Sequence, residues 1–375
     1  MHHFIFPTQD TWISSGSSTI TGETFTDTNF GRDQILEVKK FFYNSSFHHQ
    51  TRALINFDGT DFTNMSQSID EGKITNPKFY LKLYEAEGNS ELSEEYKLIL
   101  HPISQSWVEG TGKFGDNPKN TNGCSWTNRS NPIGGTETTW SMETGDQNDG
   151  PMFISGSGNS ISKSFSNQSP DIDIEVTDIV NNWLDDTNKN YGFLLKFSGS
   201  QETDSETFGH LKFFSRNTHT IYQPKLEVRW DDHAPCTGSN TGSLNELTMS
   251  GLSDNYLFMR GLQESYKEND RVKFRVGARK RYIQKSFSNS VQTVSSSFIP
   301  ESSGSYAIKD VATDEYIIPF SGYTSMSCDS EGTYFNQWLD GFYPDRAYKI
   351  QLKLKHNDGQ EQIFDDDFEF VVRRK

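Results

Sequence analysis

The chain has 375 residues, 33% of them hydrophobic and 13% aromatic, and its net charge is −16 from 51 acidic against 35 basic residues. Such an acidic surface repels phosphate backbones, so general nucleic-acid binding is not expected; nor does any apolar run approach the roughly 20 residues of a membrane-spanning helix. The length predicts two domains, and a core drawn from 28 Phe and 15 Tyr predicts an all-β protein.

The opening residues, Met1-His2-His3-Phe4-Ile5-Phe6-Pro7, lack a basic segment followed by a long apolar run. No secretory leader is read there, and a chain made and kept soluble in the cytoplasm is expected. Period-2 alternation then predicts strands. Ala53, Ile55 and Phe57 share one strand face, and Phe79, Leu81 and Leu83 share another. Trp107 and Trp183 lie inside apolar patterns and are expected in the core. Trp126 and Trp140 flank polar loops, where two readings stand: core residues, or open platforms on which a sugar ring stacks.

Asp171, Asp173 and Glu175 alternate along a strand and read as a solvated edge, giving little support to a structural calcium ion. A short helix is expected from Thr177, its N-cap, with Ile179, Val180 and Trp183 on one face and Asp185-Asp186 at its end. The loop from Asp186 has Tyr191 and Phe197 where an EF-hand needs Gly and Glu, so it reads as an Asx-rich turn. Leu226, Val228 and Trp230 close the first domain, residues 1–232.

Residues 233–243 are rich in small residues and read as a linker to a second β-domain, 244–375. Lys267, Arg271, Lys273, Arg275, Arg279, Lys280, Arg281 and Lys285 make one basic cluster in the acidic chain. It reads either as a docking face for an acidic partner subunit, centred on Lys273, Arg275, Arg279, Lys280 and Arg281, or as an edge strand protected by charge. Phe342, Pro344 and Tyr348 have the spacing of the tyrosine corner of immunoglobulin-like sandwiches. Ile350, Leu352 and Leu354 then point inward, residues 356–359 form a hairpin turn, Asp365-Asp366-Asp367 a bulge or turn, and Phe368 to Val372 the closing strand. Cys124, Cys236 and Cys328 are odd in number and none belongs to a CxxC pair, so three free thiols are expected and no zinc site. Nine scattered histidines without HExxH or GxSxG give no catalytic residues, and no enzyme activity and no cofactor are expected.

Residues 29–31, 52–57, 81–84, Trp107-Val108-Glu109, Ser125-Trp126, 176–183, 190–193 and 224–228 resemble the framework of DNRLRE-type modules. These are jelly-roll domains related to carbohydrate-binding modules. The string that names that family is absent, and the insert between Trp126 and Val176 is long. Over most of its length the chain is similar to virion structural proteins of large tailed, marine-type bacteriophages. Residues 6–13, 35–40, 104–107, 327–335 and 343–350 carry that resemblance. It implies an N-terminal jelly roll followed by an immunoglobulin-like sandwich, in a non-enzymatic virion component present in symmetric copies and docked to other particle proteins. The alternative it leaves is a carbohydrate-binding or adhesion module recognising host or environmental glycans.

Overall fold

The computed structural model describes residues 1–16, 24–43, 47–87, 95–141, 151–166, 171–249, 254–282, 287, 289–291 and 296–374. The alternating apolar pattern becomes mostly antiparallel sheet, in two units. One is Ile5–Lys73 with Lys78–Val228; the other is Met1–Phe4 with Ile74–Pro77 and Arg229–Lys375.

The first unit is a jelly-roll sandwich. Its larger sheet runs in the order Ile161–Ser166, Glu95–Pro102, Phe193–Phe197, Phe47–Asn56, Ile35–Tyr43, Gly209–Phe214, Glu85–Glu87, and Gln9–Ser14 also pairs with Phe47–Asn56. The facing sheet includes Lys225–Arg229, Lys78–Leu83 and Ile172–Glu175. Phe79, Leu81 and Leu83 are fully buried on one face, as period-2 alternation requires. Ala53, Ile55 and Phe57 are buried too, but so is Leu54. That strand is covered on both faces, because the long segment after residue 102 folds over the outer one: Leu54 packs with Ile103, Trp107 and Trp126.

Helix Thr177–Leu184 starts where expected and buries Ile179, Val180 and Trp183. Its N-cap is Val176, one residue earlier than expected. The Thr177 hydroxyl accepts from the Phe79 amide at 3.1 Å and donates to Glu175 at 3.0 Å, so it ties the helix to the sheet instead of capping. A second helix, Thr60–Asp70, holds on through Phe62 and Met65 alone. Phe62, Met65 and Ile69 have i, i+3, i+7 spacing, but three apolar residues in an otherwise polar stretch give too faint a 3.6-residue period to announce it.

The second unit has immunoglobulin-like topology. One sheet runs Asn255–Arg260, Arg271–Lys280, Gly332–Trp338, Ser327–Asp329; the other runs Ser265–Lys267, Glu361–Arg373, Arg346–Lys355, Gly304–Asp310, Tyr316–Ile318. Ser265–Lys267 joins the last strand in parallel, whereas Arg271–Lys280 pairs antiparallel with both its neighbours, as does Arg346–Lys355. The tyrosine corner is present: the buried Tyr348 hydroxyl donates to the Tyr343 carbonyl at 3.1 Å, and its ring meets Phe342 edge-on at 4.8 Å. Gly359 makes the expected hairpin turn with φ +86°. Between Ile350↔Phe368 and Leu352↔Phe364 the register shifts at Asp365-Asp366-Asp367, which is the expected bulge.

Two expectations about this unit fail. Residues 233–243 are not a free linker: the Ala234 amide donates to Ser327 Oγ at 3.0 Å, and Gly238–Thr241 is a helical turn. Cys236 and Cys328 are not free thiols, because they form a disulfide with a Cα–Cα distance of 4.9 Å. Only Cys124 stays reduced; it is buried, and burial pushes its thiol well above the ordinary range. The first residues also contribute: the His2 carbonyl accepts from Gln337 Nε2 at 2.9 Å, and Phe4 enters the core beside Leu339 and Phe342.

Candidate functional site

Trp126 and Trp140 are not open platforms. They are 7% and 4% exposed and pack with Trp107, Cys124, Ile13 and Leu194. Indole nitrogens need a partner when buried, and Trp107 donates to the Tyr191 carbonyl at 2.9 Å and Trp140 to the Ser125 carbonyl at 3.0 Å. The Arg52 guanidinium lies 4.7 Å from the Trp126 ring centroid and binds Glu202 at 2.7 Å. Lys196 takes the other oxygen of Glu202 and sits 5.0 Å from the Phe153 ring. Burial alone would raise the carboxyl of Glu202, but Arg52 and Lys196 together hold it below its ordinary range. Two buried cations thus share one carboxylate, and the aromatic faces carry the surplus charge. A sugar ring has no face left to stack on.

The basic face is assembled but compensated. Arg275 grips Asp329 with both terminal nitrogens at 2.9 and 3.0 Å and reaches Glu331 at 2.8 Å. Lys273 binds Asp329 at 2.6 Å and lies over the Tyr334 ring at 3.7 Å. Burial opposes ionisation of Asp329, yet these cations hold its carboxyl well below the usual range. Arg279 lies over Tyr256, Arg281 faces Asp254 at 3.6 Å, and Lys280 is exposed beside them. Lys285 falls outside the described residues. Arg271–Lys280 lies between two strands, so edge protection does not explain its charge. The acidic edge residues are likewise paired, Asp173 with Lys82 and Glu175 with Lys78.

A concave site does form elsewhere in the first unit, as a cleft of about 460 Å³. It rests on Asn29, a fully buried hub. The Asn29 side-chain amide donates to the carbonyls of Glu109 and Cys124 at 2.7 and 2.8 Å, and its oxygen accepts from the amides of Gly31 and Gly112 at 3.1 and 2.8 Å. Gly110, at φ +86°, has Asn29 and the Asn122 carbonyl where a Cβ would go, so only glycine fits. This anchored segment presents Phe114, whose amide donates to Asp33 Oδ1 at 2.9 Å. Trp12 Nε1 donates to the other oxygen of Asp33 at 2.8 Å. The Trp12 ring stacks on Phe30 at 3.7 Å, and Phe114, 60% exposed, leans on that pair at 6.2 and 6.4 Å. Phe214 lines the same cleft from the end of its strand, stacked against Tyr222 at 5.7 Å.

The charges around this cleft are unequal in freedom. Lys212 is paired with Glu87. Glu37 is paired with Lys39 at 2.8 Å and His210 at 3.3 Å; burial opposes its ionisation, but these partners bring its carboxyl down to about 2. Asp33 has its carboxyl raised, chiefly by burial, and both its oxygens are occupied. Arg32 and Lys113 are exposed, line the cleft, and have no ion-pair partner among the described residues. A second cleft of about 520 Å³, near Asn120, Asn131 and Glu137, has amides engaged with Thr111 and Glu137. Sequence reading missed Phe114. Its signal was an aromatic residue between Gly112-Lys113 and Gly115, outside any alternating run.

No protein-family model matches the chain, and comparison with curated proteins finds no relative.

Proposed function

We propose that this chain is a non-enzymatic structural component of a tailed-phage virion, docked to other particle proteins and present in symmetric copies. The observation that supports this reading is how its buried and half-buried charges are used. Glu202, Asp204, Glu109, Asp310 and Asp329 each bind a fixed Lys or Arg from a distant part of the chain. These pairs brace segments far apart in the chain against one another, and a carboxylate so held is poorly placed to shuttle protons. Such cross-bracing suits a β-sandwich that must keep its shape in an exposed particle. Quantitative mass spectrometry of purified particles tests it. A fixed stoichiometry to the major capsid or tail protein is expected, and absence from particles rejects the proposal.

A second reading, recognition of a glycan, is favoured by the cleft at Phe114 and Phe214. The exposed Phe114 ring and the half-buried Phe214 ring, beside polar side chains, supply the stacking and hydrogen bonding that a pyranose ring needs. It is compatible with the first reading, since a particle protein can also adhere.

A further inference from the structure

We infer that the cleft beside Phe114 binds an acidic sugar, a pyranose carrying a carboxylate or sulfate. This rests on the glycan reading and goes beyond it by naming the ligand's charge.

The cleft combines an aromatic wall with two cations that nothing in the described chain neutralises. Phe114 is held in place while keeping its ring exposed: Asp33 fixes its amide and the Trp12–Phe30 stack supports its ring from behind. Lys113 precedes Phe114 in the sequence and Arg32 precedes Asp33, and both cations line the cleft with that ring. Their backbones are fixed as well. The Arg32 amide donates to the Gly112 carbonyl at 2.8 Å, and the Lys113 amide donates to Asp116 Oδ2 at 2.9 Å. Two anchored backbones therefore carry two cationic side chains, unpaired among the described residues, into one cleft.

The acids of the cleft do not cancel them. Glu87 is spent on Lys212 and Glu37 on Lys39 and His210, while both oxygens of Asp33 are held by the neutral donors of Trp12 and Phe114 and not by Arg32 or Lys113. What is left to meet a ligand is a ring face and two cations with no ion-pair partner among the described residues. A neutral sugar would satisfy the ring and leave both cations solvated. An anionic substituent would satisfy all three, and a guanidinium forks onto a carboxylate or sulfate with two parallel hydrogen bonds. The rest of the chain argues against mere attraction of polyanions, because a net charge of −16 repels them. Affinity for an acidic glycan must therefore be local.

The test is calorimetric titration of the full chain with three oligosaccharides of equal length: an oligogalacturonate, a sulfated galactan fragment and a neutral galactan fragment. Each is run against the unsubstituted protein, the R32A/K113A double variant and F114A. Arg32 and Lys113 are exposed, so the double variant keeps the fold, which its melting temperature verifies. The expected result is binding of one or both acidic oligosaccharides, weakened about tenfold or more in R32A/K113A and in added salt, with the neutral fragment bound at least tenfold more weakly. Whichever acidic fragment binds tighter identifies the substituent. Equal binding of neutral and acidic fragments, lost in F114A and unchanged in R32A/K113A, overturns the acidic-sugar inference and leaves the glycan reading standing. No binding of any fragment at millimolar concentration overturns both.

Discussion

Arg216 Nη1 lies 2.9 and 3.0 Å from the two carboxylate oxygens of Glu109, and this pair packs against a third titratable group. Asp10, 1% exposed, accepts the Arg216 amide on Oδ2 at 2.5 Å, and its own amide donates to Glu109 Oε1 at 3.2 Å. Asp10 Oδ1 has no hydrogen-bond partner among the described residues. Burial, reinforced by the charge of Glu109, pushes the Asp10 carboxyl up to about 8 despite the Arg216 amide and guanidinium.

The pH consequence follows from linkage. Asp10 is neutral in the folded chain and ionised in the unfolded chain between about pH 4 and pH 8, so folding takes up a proton across that window. Its contribution to stability falls as pH rises through the window and levels off above it. Replacing it as Asp10→Asn removes the ionisation and keeps an acceptor for the Arg216 amide. Urea unfolding at a series of pH values should show the variant gaining on the parent from pH 4 to pH 8. The gain should not exceed about 1.4 kcal/mol per pH unit, and should be flat beyond pH 8. A difference independent of pH would mean that Asp10 is ionised in the fold.

Asn29 makes four hydrogen bonds from a fully buried side chain. Asn29→Ala leaves two carbonyls and two amides in the interior without partners, and each orphaned group costs about 1–3 kcal/mol. A loss of about 3–5 kcal/mol in chemical denaturation is expected, since some groups will recover water. Asn29→Asp should be no better, because it turns a carboxylate oxygen toward the carbonyls of Glu109 and Cys124. A loss under about 1 kcal/mol for the alanine variant would show that water replaces the hub at little cost.

The Cys236–Cys328 crosslink spans 92 residues and ties the segment before the first strand of the second unit to Ser327–Asp329. Closing a loop of that length in the unfolded chain gives about 4–5 kcal/mol in the chain-entropy model, and measured values usually fall lower. The Cys236→Ser/Cys328→Ser double variant should lose about 2–4 kcal/mol. Thiol titration of the parent should find no reactive group while folded and a single one, Cys124, once unfolded. Three reactive thiols on unfolding would show that the disulfide does not form.

Local patterns in the sequence were a good guide wherever a structure is set by neighbours in the chain. The alternation at Phe79, Leu81 and Leu83, the helix at Ile179, Val180 and Trp183, and the corner at Tyr348 all stand in the fold as read. What the sequence hid depends on distant partners. Leu54 is buried because residues after 102 cover its face, and Cys236 meets a cysteine 92 residues away. Arg275 looked like free charge until strand pairing set it beside Asp329. The candidate cleft was invisible for the same reason, since Phe114 and Phe214 are brought together only by the fold.

Trp126 shows how far the reading of one residue changes once its surroundings are known. As an open platform its removal would abolish sugar binding and leave stability alone. Buried among Trp107, Cys124 and Leu194, with the Arg52 guanidinium on its face, it has a different role. Trp126→Ala should cost about 3–5 kcal/mol through the cavity it leaves. It also strips Arg52 of the ring that offsets its burial, and Arg52 shares Glu202 with Lys196. The Trp126→Phe variant keeps a ring face there and should recover about half of that loss. If Trp126→Ala, measured by urea denaturation, is within about 1 kcal/mol of the parent, the side chain is not packed as described. Failure of Trp126→Ala protein to bind a glycan would then say nothing about a sugar site unless its melting curve matched the parent's.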